Sequence, residues 1–351
     1  MSRSILAICL AGLALTAAAC GDDDSSSDSA AGGSGSTAST EAPAGKKIRV
    51  GLVTDIGGLN DRSFNALANK GLNDAKSQLG VEGRVITSDS NSDYVPNLST
   101  LAQQKYDLVI GVGFLMAEAV NTVAKKFPDT KFAVIDVSQA SLKDKPTNVE
   151  GLLFAEQQAG YLAGYLAGDY AKANNIDTIS SVGGQKIPPV DHYIAGYQAG
   201  AKAANPEIKT LNAYSQDFVD QAKCKEIALD QIERGSGVVF QVAGQCGLGA
   251  LDAAKEKGKQ GIGVDADQAY LGDYVMTSAL KKIDEAVFTT VKEAQDGSFK
   301  AGTDTIFDAK SNGVGFGKTN AAGAKYKDQV EAQLEKIKAG EIDIPSEVSG
   351  N

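Results

Sequence analysis

Histidine occurs once, as His192, and that scarcity excludes a good deal of chemistry. A metal site with several imidazole ligands cannot be assembled, and a Ser–His–Asp enzyme would rest on this single residue. Basic charge is also short. The chain carries 34 Lys and Arg against 44 Asp and Glu, a formal net charge of −10. No strongly basic segment offsets this, so a phosphate backbone is repelled and nucleic acid is not an expected partner. Long apolar runs are missing too. Beyond residue 45 none reaches 18 residues, so the body is not expected to cross a membrane as a helix. What remains is ordinary: 42% apolar, 22% charged, a composition that excludes wholesale disorder. At roughly 100–200 residues per domain, the 351 residues predict about two domains. Glycine is abundant, at 39 residues, which points to many tight junctions between strand, loop and helix.

The N-terminus reads as an address. Residues 1–19 form a signal peptide: Arg3, then the apolar run ILAICLAGLALTAAA, then small residues. That run is too short for the ~20 residues a membrane span requires. Its exit, Ala18-Ala19-Cys20-Gly21, resembles a bacterial lipobox, with Ala17 where Leu is usual. The resemblance implies that Cys20 receives a diacylglycerol and becomes the new N-terminus. Residues 21–45, GDDDSSSDSAAGGSGSTASTEAPAG, hold no large apolar side chain and read as a disordered tether behind the lipidated Cys. The expected location is therefore extracytoplasmic, anchored to the bacterial cell membrane through lipid alone. Of 4 cysteines, Cys9 leaves with the signal and Cys20 carries lipid. Cys224 and Cys246 remain as an even pair in an oxidising compartment, and a disulfide between them is predicted; the alternative is two buried free thiols. Such a loop closure contributes about 3 kcal/mol in the chain-entropy model. Two thiols are too few for a metal, and none is expected.

From Lys46 onward, strand and helix patterns alternate. KIRVGLVTD, GRVITSDS, YDLVIGVG, KFAVIDVS and NVEGLLF read as strands with helices between most of them, and the pattern restarts at TISSVGG. This is an α/β chain of two doubly wound parallel-sheet halves. In open α/β sheets ligands bind beyond the carboxyl ends of strands. The residues standing there include Asp55, Gly57, Gly58, Asn60, Asp61, Ser63, Phe64, Asn65, Phe114, Asp136, Lys186, Ile187, Pro188, Pro189, His192, Tyr193, Gly244, Gln245, Asp265, Asp267 and Lys281. Carboxylates accept from paired sugar hydroxyls, and flat side chains sandwich a flat heterocycle. The combination suggests a neutral aromatic glycoside such as a nucleoside; a nucleotide would be repelled by the carboxylates.

The blocks RVGLVTDIGGLNDRSFN, KFAVID, FAEQQAGYLAGYLAG, IPPVDHYIAGYQAGAKAANPEI, VVFQVAGQCGLGALDAAKEKG, GVDADQ and TSALKKIDEAVF, in this order, resemble the basic membrane protein family. These are purine nucleoside receptor A-like lipoproteins that serve ABC importers as substrate-binding proteins. The resemblance covers about residues 46–320. It implies a type I periplasmic-binding-protein fold with two lobes joined by hinge crossovers. On this reading residues 46–155 plus about 281–310 form lobe 1, and 156–280 plus about 311–351 form lobe 2. It implies a purine stacked between Phe64 and Tyr193, the latter replacing the more common Phe. Asp55, Asp136 and Asp265 map to acids at base and ribose, and Asn65, Gly244 and Lys281 hold further matching positions. The implied partners are a purine nucleoside and an ABC permease, with the protein monomeric, without cofactor and without a catalytic residue.

Competing readings stay open. The same fold could bind a sugar or other small polar metabolite, or act as an enzyme on nucleosides. Asp55 could be a helix cap, as Asp61 is expected to be. His192 reads as an exposed helix residue rather than a base. NGVGFGKT, residues 312–319, mimics a phosphate-binding loop, but Asn312 replaces its first glycine.

Overall fold

Strands buried on both faces are apolar throughout, and this chain supplies them in two sets. The computed structural model describes residues 46–349, so the expected signal peptide, the expected lipidation at Cys20 and the expected tether lie outside the described residues. In chain order the first half holds β1 (Arg49–Val53), α1 (Phe64–Leu79), β2 (Glu82–Ile86), α2 (Tyr94–Gln103), β3 (Leu108–Gly111), α3 (Ala117–Lys126), β4 (Lys131–Ile135) and β5 (Val149–Phe154). The second holds α4 (Glu156–Ala173), β6 (Thr178–Gly183), α5 (Pro188–Ala204), β7 (Lys209–Tyr214), α6 (Gln221–Glu233), β8 (Ser236–Val242), α7 (Gly244–Glu256), β9 (Gln260–Asp265) and β10 (Val275–Lys281). The chain closes with α8 (Ile283–Asp296), β11 (Thr303–Phe307), β12 (Val314–Phe316) and α9 (Lys327–Ala339).

The strands form two 6-stranded sheets, ordered β11-β5-β4-β3-β1-β2 and β12-β10-β9-β8-β6-β7. Pairing is parallel except where β12 runs antiparallel to β10. Central β8, SGVVFQV, is buried at every position, whereas edge strand β2, EGRVI, is half exposed. The glycine-rich stretch near 312–317, read from sequence as a loop, contains β12. Three residues of pairing to β10 make it a strand, which local propensity does not reveal.

Among the described residues the chain passes between the sheets at Ala155, again at Lys282, and finally through residues 308–313. A continuous apolar cluster runs from Val50 and Leu52 through Phe154 and the α4 residues Leu162 and Leu166 into Ile179 and Phe240. The two lobes therefore share core at their crossovers. Helix starts follow local chemistry. α5 opens on Pro188-Pro189, whose missing N–H groups would have no partner there. Asp220 caps α6 by accepting from the Ala222 N–H at 3.0 Å.

α4 and α5 touch backbone to backbone. A methyl group added at Gly160 would collide with the Tyr193 carbonyl, and one at Gly164 with the Tyr197 carbonyl. This contact fixes the helix pair that carries Glu156, His192 and Tyr193 to the cleft described below.

Gly→Ala in a helix ordinarily gains about 0.5–1 kcal/mol. Overpacking against a carbonyl that no rotamer can move costs about 1–3 kcal/mol. Gly164→Ala should therefore lower the calorimetric melting temperature by a few degrees, while Gly315→Ala, with open space around it, should not. An unchanged or higher Tm for Gly164→Ala would contradict the account of this interface.

Candidate functional site

The carboxyl ends of both sheets face one cleft. Asp55, Phe64, Asn65, Asp136, Tyr193, Gly244, Asp265 and Lys281 all line it. So do Phe114, Phe218 and Gln245. The structure thus brings together the eight residues matched through the family resemblance, whereas the strand-end candidates Ser63, His192 and Asp267 do not line the cleft.

On the lobe 1 wall, Asp61 sits before α1. It accepts from the N–H groups of Ser63 (3.1 Å), Asn65 (2.6 Å) and Ala66 (3.1 Å), which is the cap expected of it. Asn65 lines the cleft, but its amide serves the loop: Oδ1 accepts from Asp55 N–H at 2.9 Å and Nδ2 donates to Ile56 O at 3.4 Å. Asp55 Oδ1 accepts from Ile56 N–H at 2.7 Å and from the Tyr94 hydroxyl. Asp55 is therefore no helix cap. Its Oδ2 lies where a Cβ on Gly113 would come within 2.5 Å, and Gly113 adopts φ 111°. Only glycine leaves room there for both Asp55 and the Phe64 ring. Burial pushes the Asp55 carboxyl up to about 6, with the Tyr94 and Ile56 hydrogen bonds opposing.

The floor of the cleft is ionic. Lys281, 2% exposed, bonds Asp136 Oδ1 at 2.6 Å and Glu156 Oε1 at 2.8 Å. Its ammonium stands 4.8 Å from the Phe154 ring centre and 5.3 Å from that of Phe64. Behind it, His192 Nδ1 lies 3.2 Å from Glu156 Oε2. Burial pushes Asp136 up to about 7 against the pull of Lys281. Burial also raises Glu156, but Lys281 and His192 outweigh it and leave that carboxyl below its usual range. Burial pulls Lys281 down, yet Asp136, Glu156 and Asp265 hold its ammonium above the ordinary value.

Asp265 ties the lobes. Its Oδ1 accepts from the Tyr193 hydroxyl at 3.0 Å and its Oδ2 from the Ser63 hydroxyl at 2.8 Å. Ser63 belongs to the first lobe and Asp265 to the second, so this bond spans the cleft, as does Asp136–Lys281. Asp136, just beyond β4, and Asp265, the last residue of β9, adopt left-handed φ of 67° and 58°. Aspartate tolerates this better than most residues, and such strain concentrates at functional sites. Tyr193 is 3% exposed, and its ring stands edge-on to Phe240 at 6.1 Å. Phe218, on the loop between β7 and α6, is only half buried; the sequence reading did not single it out, nor did it single out Glu156.

The Cys224–Cys246 disulfide is formed, with Cα atoms 5.5 Å apart, linking α6 to the first turn of α7. Among the described residues no group of three or more His, Cys, Asp or Glu is placed to hold a metal ion. No helix among them is long and apolar enough to cross a membrane.

Two doubly wound lobes, repeated crossings between them and a cleft at the strand ends define the class of two-lobed solute-binding proteins. A crystal structure of an ABC transporter solute-binding protein from Aeropyrum pernix superposes with TM-score 0.77 at 26% identity, covering 86% of this chain and 94% of that one. Residues 48–348 match the family described as ABC transporter substrate-binding protein PnrA-like, and the chain belongs to that family. A relative from Lactococcus lactis, the ABC transporter nucleoside-binding protein BmpA, is 34% identical over 89% of this chain and 93% of its own length. An uncharacterized lipoprotein of Pyrococcus abyssi is 37% identical over 80% of this chain and 71% of its own length.

The Asp55 environment sets a pH dependence. Its folded-state value of about 6 lies above the ordinary 3.8, so the folded protein binds a proton that the unfolded chain lacks between these values. The burial penalty is full above pH 6 and is relieved as pH falls. Asp55→Asn never carries it. The stability advantage of Asp55→Asn over wild type should shrink by about 1 kcal/mol between pH 8 and pH 5 in ligand-free denaturant titrations. A gap that stays constant, or widens toward acid, would contradict this.

Proposed function

We propose that this protein captures a neutral purine nucleoside in the interlobe cleft and delivers it to the permease of an ABC importer. The observation that carries the reading is the company kept by Lys281, the one cation among the described residues lining the cleft. It is bonded to two carboxylates, so a phosphate or other anion finds no free positive charge, while hydroxyls find acceptors at Asp136 and Asp265. The aromatic lining suits a flat heterocycle. We assign the base to the space beside Phe64, with Phe218 and Tyr193 as candidates for the opposite face. Asp55 and Asn65 stand at the base edge, and Asp136, Asp265, Gly244 and Lys281 at the ribose. The nucleoside-binding name of the Lactococcus lactis relative agrees with this assignment.

On this reading lobe 1 comprises residues 46–155 and about 282–310, because the boundary read at about 281 falls just after Lys281, the last residue of β10 in the second sheet; lobe 2 is the remainder of the body, and the lobes hinge shut about their crossovers. The Ser63–Asp265 and Asp136–Lys281 bonds are those of a closed form. No bond of the ligand is made or broken, and no residue acts as nucleophile. The protein works as a monomer outside the membrane, held by lipid on Cys20; relatives named as lipoproteins support the anchor.

Calorimetric titration of full-length protein in detergent, freed of carried ligand, tests the reading. Inosine, guanosine or adenosine should bind, with ribose and glucose silent. Base stacking is worth about 1–3 kcal/mol, so Phe64→Ala should weaken binding by roughly tenfold to a hundredfold. Heat with glucose and none with nucleosides would overturn the ligand assignment in favour of a sugar. Slow appearance of free purine base would overturn it in favour of an enzyme.

A further inference from the structure

The Cys224–Cys246 disulfide lies directly behind one wall of the cleft. Cys246 is the third residue of α7, two positions after Gly244, which lines the cleft with φ 55°. The Cys246 N–H donates to the Phe218 carbonyl at 3.0 Å. Phe218 lines the same cleft and belongs to the loop of residues 215–220 that leads into α6, the helix carrying Cys224. That loop is otherwise held at a few points. The Ser215 and Gln216 N–H groups donate to the Gly183 and Gly184 carbonyls at 2.9 and 3.0 Å. Asp217 accepts from Val219 and Asp220 N–H groups and pairs with the exposed Lys223 at 2.6 Å. The Phe218 ring packs over Gly184, where a Cβ would strike it.

We propose that the disulfide is a positioning device for the binding site: by tying α6 to the first turn of α7 it holds Phe218 and Gly244 in register as one preformed wall against the ligand. Phe218 is the positioned group and the cysteines act through it. Both cysteines are fully buried, so a reductant in the surroundings has no access and the link is a permanent tie rather than a switch. The apolar cluster of Val182, Ala228, Val239, Ala250 and the disulfide itself packs α6 and α7 onto the sheet, so the fold of this lobe does not depend on the link alone. The saving lies in ordering the wall before the ligand arrives.

The inference rests on the nucleoside reading above, and the test separates the two. Binding of inosine by the wild type reads the function; the ratio of variant to wild type reads the disulfide. Full-length Cys224→Ala/Cys246→Ala should bind inosine about tenfold more weakly, mainly through faster dissociation. It should also show a smaller change in purine ultraviolet absorbance on binding, the signature of base stacking. Phe218→Ala should cost much less affinity in that double variant than in the oxidised protein, because the two changes disable the same wall. Affinity within twofold of wild type, or fully additive losses, would overturn the proposal. Amide hydrogen exchange on the unmodified protein provides a test that no folding defect can spoil. Residues 216–220 and Cys246 should be equally protected with and without inosine. Protection that appears only with inosine would show that the ligand, not the disulfide, orders the wall.

Discussion

Lys281 stands at the end of β10, one residue before the chain crosses from one lobe to the other, and its buried ammonium joins Asp136 of the first lobe to Glu156 at the start of α4. Burying an ion is expensive, by several kcal/mol even after relaxation, unless its hydrogen bonds are met in good geometry. Here two are met at 2.6 and 2.8 Å, and aromatic faces of Phe154 and Phe64 cover the rest. The ion group therefore needs both lobes in place, and the close backbone contact of α4 with α5 keeps Glu156 and His192 beneath it. The position of the site traces back to this one constraint.

The same group sets the charge that the cleft presents. Asp136, Glu156 and Asp265 share one lysine, and each carboxylate is also constrained by burial. An added anion would meet uncompensated negative charge, whereas hydroxyls and an uncharged ring meet acceptors and aromatic faces. The left-handed backbone at Asp136 and Asp265 belongs to the same arrangement.

Much of this was legible in the residues. Apolar runs such as LVIG and KFAVI marked the parallel strands, and strand ends located Asp55, Asp136, Asp265 and Lys281 without any contact being known. Asp61 was readable as a cap from its place before SFN. Other features are tertiary. Phe218 follows β7, an exposed edge strand, and only the neighbouring Gly184 and Gly244 bring its ring to the cleft. Glu156 looks like an acidic first-turn residue, which any helix favours; its role emerges only when Lys281 arrives from 125 positions away. For Tyr193 the family resemblance implied a stacking face, and the fold also sets its hydroxyl on Asp265, a contact no pattern of letters carries. β12 exists because β10 offers it an edge.

The most direct test is a crystal structure of the protein grown with inosine. The account predicts one inosine within the cleft, its base flat against Phe64 and its ribose hydroxyls on Asp136 and Lys281, with Ser63 still bonded to Asp265. An empty cleft at saturating inosine, or inosine bound only elsewhere on the surface, would contradict it.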